Sequence, residues 1–280
     1  MGQCVREITM SELSDQDHAF FKENGYLIVR EAVSKASCDA VIEDIFAFLK
    51  LDPHDSDGWY RPPLEPGRCT ELYHTQAMWN NRQNPRLYGA FAELLGKSKL
   101  WCSLDRVSFK PPRHRDHPEW YVDGFLHWDY HDMTLLPIPF IVQGVLCLTD
   151  TAADQGGFQC VPGAHKDLVR EARPGEVLKA PDLKDLSPVP VPAKGGDLII
   201  WHRALPHSHS PNTGERPRLA QYITMHPAPT DRAEKPHDRI KGWKELLTSN
   251  GPPEKAKENA TGRTAELTPL GRKLLGLDWW

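Results

Sequence analysis

The sequence predicts a mainly β domain, a sandwich or barrel-like jelly roll with flanking helices, on three observations. From about residue 101 to 226 the chain runs through short β-type segments, "PFIVQGVLCLTD", "GGFQCVPG", "GDLIIWH" and "RLAQYITMH", set apart by Gly and Pro turns with no helical period between them. Ahead of them, from about 10 to 100, the apolar residues recur at helical spacing. Composition then limits the whole: 280 residues, 39% hydrophobic and 26% charged, suit one substantial core, so residues 1–280 are expected to form a single domain.

Element by element, "LSDQDHAFFKENG" predicts a short helix capped near Ser14 and closed by Gly25, followed by a strand in "YLIVR". A helix from about Lys35 to Lys50 carries Val41, Ile42, Ile45, Phe46 and Leu49 on one stripe, the pattern of a core-facing surface. Residues 51–82 mix Pro, Gly, aromatics and charge without period and read as irregular loop. A helix near Pro85 to Leu95 leads into "KLWCSLDRVSFKPP", read as one strand ended by its prolines. The Pro-rich "APDLKDLSPVPVPAKGG" reads as loop. The charged tail, 227–280, is expected to hold a short helix around "DRIKGWKELL" and to end in a docking plug, Trp279 and Trp280.

Several function classes drop out. A net charge of -4 provides no basic field for a nucleic-acid backbone or an anionic membrane. The chain has no run of about 18 apolar residues, and "MGQCVREITM" lacks the apolar stretch of a secretory signal, so a cytoplasmic location is expected. Six scattered cysteines without Cys-x-x-Cys spacing read as reduced packing thiols and not as a zinc ribbon. The acceptor triplet at Asn259 to Thr261 and Gly2 at the amino terminus carry no weight in that setting.

The chemistry concentrates in "FLHWDYHD". In an extended segment His127 and Asp129 share one side while Trp128 points the other way. Downstream, "LPHSHSPNTGERPR" ends a strand at a Pro206 turn and presents His207 and His209, then Arg216 and Arg218. Two imidazoles and a carboxylate on one face of an octahedral ion leave the opposite positions open, the facial triad of non-haem Fe(II) oxygenases. A 2-oxo acid chelating such an ion has a second carboxylate at its far end, which a guanidinium fork binds in a charge-assisted pair. Arg218, eleven positions beyond His207, can reach it from the next strand.

The set "HWD" at 127–129, "GGFQCVPGAHK" at 156–166 and "LPHSHSPNTGERPR" at 205–218, with "NGYLIVR" at 24–30, resembles the phytanoyl-CoA dioxygenase family of Fe(II)- and 2-oxoglutarate-dependent oxygenases. The resemblance implies a double-stranded β-helix, the cupin-like jelly roll, with His127, Asp129 and His207 on iron and Arg218 on the far carboxylate of 2-oxoglutarate. It further implies that dioxygen is consumed, succinate and CO2 are released, and a small organic molecule is hydroxylated. Retention of Asp129 argues for oxygen transfer over halogenation, since halogenases of this superfamily put a small residue there.

One departure stands out. The family usually reads His-Gly-Ser at the distal site, whereas this chain reads His207-Ser208-His209, so that either His209 or a shifted Ser208 or Ser210 supplies the missing hydroxyl contact. His209 also competes with His207 as ligand, but lies only nine positions from Arg218 and is expected to line the pocket.

Ser108 and Gln143 are read as cosubstrate contacts, Lys110 as an exposed lysine on the strand of Ser108, and Arg216 as a solvent-facing charge. His165 is read as a structural turn residue, and the cations Arg113, His114, Arg115 and His117 as a solvated surface loop. No catalytic group beyond the ligands, no substrate-binding residue and no oligomeric state is assigned. The competing readings are a non-catalytic metal-binding jelly roll that holds a ligand, and a zinc hydrolase, the latter without any HExxH pattern.

Overall fold

The computed structural model describes residues 11–129, 140–167, 183–229, 237–249 and 263–280; Gly2, Cys4 and the Asn259–Thr261 acceptor lie outside them. Helix α1 (Asp15–Asn24) starts at Ser14, whose side chain and that of Asp17 form a reciprocal capping box. It stops at Gly25, which takes the left-handed φ of 78° and lets the chain turn directly into β1 (Tyr26–Val29). His165 packs so tightly on that turn that a Cβ at Gly25 would lie 2.4 Å from its ring.

Helix α2 (Lys35–Leu49) buries Cys38, Val41, Ile45, Phe46 and Leu49, as its apolar stripe predicts, each large side chain contributing roughly 1.5–3 kcal/mol. Helices α3 (Gln76–Arg82) and α4 (Pro85–Leu95) complete the amino-terminal layer. Strands β2 (Leu100–Cys102), β3 (Val107–Lys110), β4 (Val142–Cys147), β5 (Phe158–Cys160), β6 (Val189–Pro190), β7 (Leu198–His202), β8 (His207–His209), β9 (Arg218–Tyr222) and β10 (Met225–Pro227) follow, then α5 (His237–Glu245) and α6 (Pro269–Leu275).

The strands form an antiparallel five-stranded sheet in the order β1-β7-β4-β9-β3, a three-stranded sheet β6-β5-β8 and a β10-β2 pair. Register assigns the faces of the large sheet. Tyr26 and Gln143 flank Trp201; Ile199 and Tyr222 flank Val145; Ala220 lies opposite both Cys147 and Ser108; Lys110 lies opposite Arg218. That face meets the small sheet, where Phe158, Cys160, Val191, Ala193 and Leu205 close a core between the two sheets. The alternate residues, Leu27, Val29, Phe109, Leu146, Leu198, Ile200 and Leu219, pack against the helices in a second, larger core. The result is a jelly roll with helices on one outer face.

Three expectations need correction. Residues 51–82 are not all loop: they hold a 3-10 turn at Ser56–Trp59 and α3, capped by Thr75 through Met78 N–H. A seven-residue helix is too short to impose a visible period. Secondly, "KLWCSLDRVSFKPP" is two strands in different sheets. Ser103 bonds Thr224 through N–H to carbonyl (2.8 Å) and accepts Thr224 N–H on its hydroxyl (3.0 Å), so both chain segments change sheet together, which also splits "RLAQYITMH" into β9 and β10. Thirdly, the Pro-rich loop contributes β6, paired with β5.

Of the expected docking pair, Trp280 packs against the fold while Trp279 is 41% exposed. Trp280 donates from Nε1 to the Leu100 carbonyl (2.9 Å) and stacks on Tyr88. Cys38, Cys147 and Cys160 are free and buried, and burial pushes their thiols up to about 11, 11 and 12, values of inert packing residues.

The β1–β7 edge is tied by Asp197, 2% exposed, which accepts Glu31 N–H (3.0 Å), Lys194 N–H (2.9 Å) and Arg30 Nη1 (2.7 Å). Arg30 itself is 61% exposed, so the two main-chain donors hold most of the energy. Asp197→Ala is expected to cost about 2–4 kcal/mol in urea unfolding and Arg30→Ala less than about 1 kcal/mol; equal losses would contradict this division.

Candidate metal centre

His127 and His207 come from segments eighty residues apart and are joined by a single antiparallel bridge, each main-chain N–H bonding the other's carbonyl at 3.0 and 2.8 Å. Directly opposed residues of such a bridge bring their side chains together, and the two imidazole centroids lie 4.5 Å apart. Trp128 turns away and is buried, while Asp129 N–H reaches the Arg203 carbonyl at 3.4 Å, which returns the carboxylate to the histidine side. One ligand atom from each of His127, Asp129 and His207 lies within 4.8 Å of the others, the sole such cluster among the described residues. Asp129 Oδ1 stands 3.9 Å from His127 Nε2, and its Oδ2 3.5 Å from His207 Nε2.

The donor set fits a cation. Each ring points Nδ1 at a carbonyl, His127 at Phe125 (3.0 Å) and His207 at Leu205 (2.8 Å). A carbonyl only accepts, so Nδ1 carries the proton and the free Nε2 lone pair of each ring faces Asp129. Burial and the neighbouring His127 push His207 down to about 4, which keeps it neutral and available. Gln143 donates from Nε2 to Asp129 Oδ2 at 2.8 Å and fixes the carboxylate's rotation. The amide thus lies in the cavity, as its place in an apolar strand suggests, with its bond made to the carboxylate of the triad.

These side chains open on a cavity of about 270 Å³ that Trp201, Phe158, Val145, Tyr222 and Arg218 also line. Arg218, 2% exposed, donates from Nη1 to Ser108 Oγ at 3.0 Å. Opposite it, Lys110 is half-buried, with its Nζ out of solvent and without a hydrogen-bond partner, which overturns the expectation of an exposed lysine. The cause is strand parity: Lys110 shares the inner face with Ser108 and Arg218, and Gly156 crosses it so closely that a Cβ there would lie 3.3 Å from Lys110 Cδ. Burial, then the positive charge of Arg218, push Lys110 down to about 6.

His209 stays outside the triad and lines the same cavity, pushed down to about 4 by burial and by Lys110. Ser208 Oγ is taken by Gln159 Nε2 at 2.8 Å, whereas Ser210 Oγ is buried and unpartnered. Arg216 is exposed, and His165 is a buried structural residue whose ring lies tilted against His202 at 5.4 Å. Three of the four cationic residues of 113–124 face carboxylates, His114 with Asp57, Arg115 with Asp116 and His117 with Glu119, while Arg113 lies over the ring of Tyr121 at 5.1 Å and Tyr60 stacks on the ring of His117.

Sequence reasoning passed over Tyr222, Arg106 and Cys69, all of which line the cavity. The first two were within reach, since Tyr222 shares parity with Arg218, and Arg106 with Ser108 and Lys110; Cys69 arrives from a loop that carries no period.

Residues 21–220 match the model of the phytanoyl-CoA dioxygenase family, PhyH. A Dictyostelium discoideum protein whose name assigns it provisionally to the phytanoyl-CoA dioxygenases is 24% identical over 264 residues, covering 76% of this chain and 75% of its own. The dioxygenase lolE1 of Epichloe uncinata is 24% identical over 258 residues, covering 87% and 93%. Among solved structures, the non-haem alpha-ketoglutarate-dependent carbocyclase SnoK of nogalamycin biosynthesis shares the fold at a TM-score of 0.54 and 20% identity, over 77% of this chain and 85% of that one. With the family model spanning most of the chain and a dioxygenase among its relatives, this protein belongs to the phytanoyl-CoA dioxygenase family and is an enzyme of the oxygenase type.

Proposed function

We propose that the protein is an Fe(II)- and 2-oxoglutarate-dependent dioxygenase that hydroxylates a small organic metabolite. The observation that carries this reading is one cavity holding both an open three-donor face and the buried Arg218, with Lys110 opposite Arg218 across the β3–β9 ladder. Three donors leave half an octahedron free, unlike a closed four-ligand zinc site. A guanidinium held out of water is costly without an anion, and the far carboxylate of 2-oxoglutarate supplies one.

Iron bound with 2-oxoglutarate and dioxygen supplies the oxidising power, with succinate and CO2 as coproducts. The chain's own residues supply geometry. His127 and His207 present fixed Nε2 lone pairs, Asp129 is turned by Gln143, and Arg218, Ser108 and Lys110 hold the cosubstrate carboxylate. Trp201, Phe158 and Val145 make the wall that excludes water. Among the described residues no helix is long and apolar enough to cross a membrane.

Anaerobic Fe(II) plus 2-oxoglutarate should give a weak visible charge-transfer band. Arg218→Ala is expected to weaken its 2-oxoglutarate titration by about 10–100-fold or more while Fe(II) still binds; an unchanged titration would remove Arg218 from the role.

Gln143→Leu keeps the side-chain volume but frees Asp129. A 10–100-fold loss in Fe(II) affinity is expected from equilibrium dialysis, about the effect of losing such a supporting hydrogen bond.

Lys110 adds a pH dependence with a definite sign. In the empty site it loses its proton above about 6, and a bound carboxylate raises that value again. Binding then takes up a proton, so 2-oxoglutarate affinity is expected to be flat below about pH 6 and to fall as pH rises above it. Titrating the same band across pH in wild type and Lys110→Met tests this: the variant should bind more weakly at low pH and lose that slope.

A further inference from the structure

A second arginine faces the same cavity and the cosubstrate does not account for it. Arg106 sits one residue ahead of β3, in parity with Ser108 and Lys110, and its carbonyl accepts Tyr222 N–H at 2.9 Å. Tyr222 in turn lies opposite Val145 on β4, so Arg106 looks across two strand spacings, about 10 Å, toward β4. One inward-facing position along β4 from Val145 stands Gln143, whose amide is bonded to Asp129. A small molecule can span the gap between this guanidinium and the triad.

The guanidinium is poorly partnered. Asp105 and Glu71 form ion pairs with it at 3.6 and 3.8 Å, both longer than a hydrogen bond, and its Nε is buried with no hydrogen-bond partner, so its charge is balanced while that donor is left unused. Asp105 Oδ1 is turned instead to Arg106's own main-chain N–H at 2.7 Å. A half-satisfied guanidinium in a cavity wall is costly unless an acceptor arrives from outside.

Resting on the cosubstrate reading above, which commits Arg218 and Lys110 to one carboxylate, we propose that Arg106 anchors the primary substrate and that this substrate is a small carboxylic acid. The planar fork of arginine matches a carboxylate through two parallel bonds, whereas a neutral head group would leave the orphaned donor unpaired. The cavity of about 270 Å³ must also admit 2-oxoglutarate, and falls below the roughly 300–1,000 Å³ that encloses a drug-sized ligand, so the acid is small.

The test uses the full chain loaded anaerobically with Fe(II) and 2-oxoglutarate, the visible band as reporter, and short carboxylic and amino acids paired with their methyl esters as probes. Some of the acids are expected to perturb the band and raise succinate release, at concentrations about 10–100-fold below their esters. Arg106→Gln should erase the preference for acid over ester while leaving the 2-oxoglutarate titration in place, and Arg106→Lys should keep part of the preference. The inference is overturned if acids and esters act alike on the wild type, if no acid perturbs the band, or if Arg106→Gln keeps the preference. Should the band itself fail to form in the wild type, the cosubstrate assignment falls first and takes this one with it. Circular dichroism of both variants separates lost recognition from lost folding, and the lysine variant carries the test where the glutamine variant does not fold.

Discussion

Two main-chain hydrogen bonds between His127 and His207 carry the rest of the molecule's chemistry. They join a segment that enters from the loop after β3 to the start of β8, and without them the donors would belong to unrelated parts of the surface. Each bond is worth about 0.5–1.5 kcal/mol in stability, but their geometric effect is larger. An antiparallel bridge fixes both Cβ directions at once, so the imidazoles meet without any side-chain contact having to hold them. The Nδ1 bonds to Phe125 and Leu205, each two residues back along the ring's own chain, then set the tautomers by local geometry alone. The site is thereby built from the backbone outward.

Strand parity decides what surrounds that bridge. On β3, Val107 and Phe109 face the helices, where Phe109 meets Phe46 and Trp59 edge-on at 5.4 Å, while Ser108 and Lys110 face inward. On β9, Leu219 faces outward and Arg218, Ala220 and Tyr222 face inward. The same alternation that builds the outer core therefore delivers a guanidinium, an ammonium and a hydroxyl to one side of the large sheet. Shifting the β3–β9 register by one residue would exchange the two sets and bury charge against helices α2 and α4. Residues that stabilise the fold and residues that do its chemistry are locked to one another by a period of two.

This also explains what was legible in the sequence. The helices α1, α2 and α4 were readable because capping residues and an apolar stripe agree at both ends, and β1, β4, β5 and β7 because Gly and Pro mark their limits. The triad was readable because two of its members lie two positions apart and the third follows a Pro turn. Where signals are local they suffice. Lys110 was misread because residue type argues for exposure and only the partner strand, with Arg218 opposite and Gly156 crossing it, argues for burial. The sheet change at Ser103 left no mark either, since it depends on Thr224, over a hundred residues away. The role of Gln143 was half visible: an amide in an apolar strand announces the cavity, but not that Asp129 would be its partner.

Where polar groups are left unsatisfied is itself informative. At Asp197 every donor that approaches finds its acceptor, as a structural knot requires. Around the metal centre, Gln143 Oε1, Arg218 Nε, Arg106 Nε and Trp201 Nε1, all on residues lining one cavity, are buried without hydrogen-bond partners, as are scattered atoms elsewhere such as Thr70 Oγ1, Trp79 Nε1 and Trp243 Nε1. Several desolvated donors on one wall would be selected against if the cavity served only to pack the two sheets, because apolar replacements of similar volume would relieve each penalty. What sets the cavity group apart is that four such atoms share one wall, which makes sense when their partners are carried in by ligands, and the two guanidinium groups among them suit ligands that are anions.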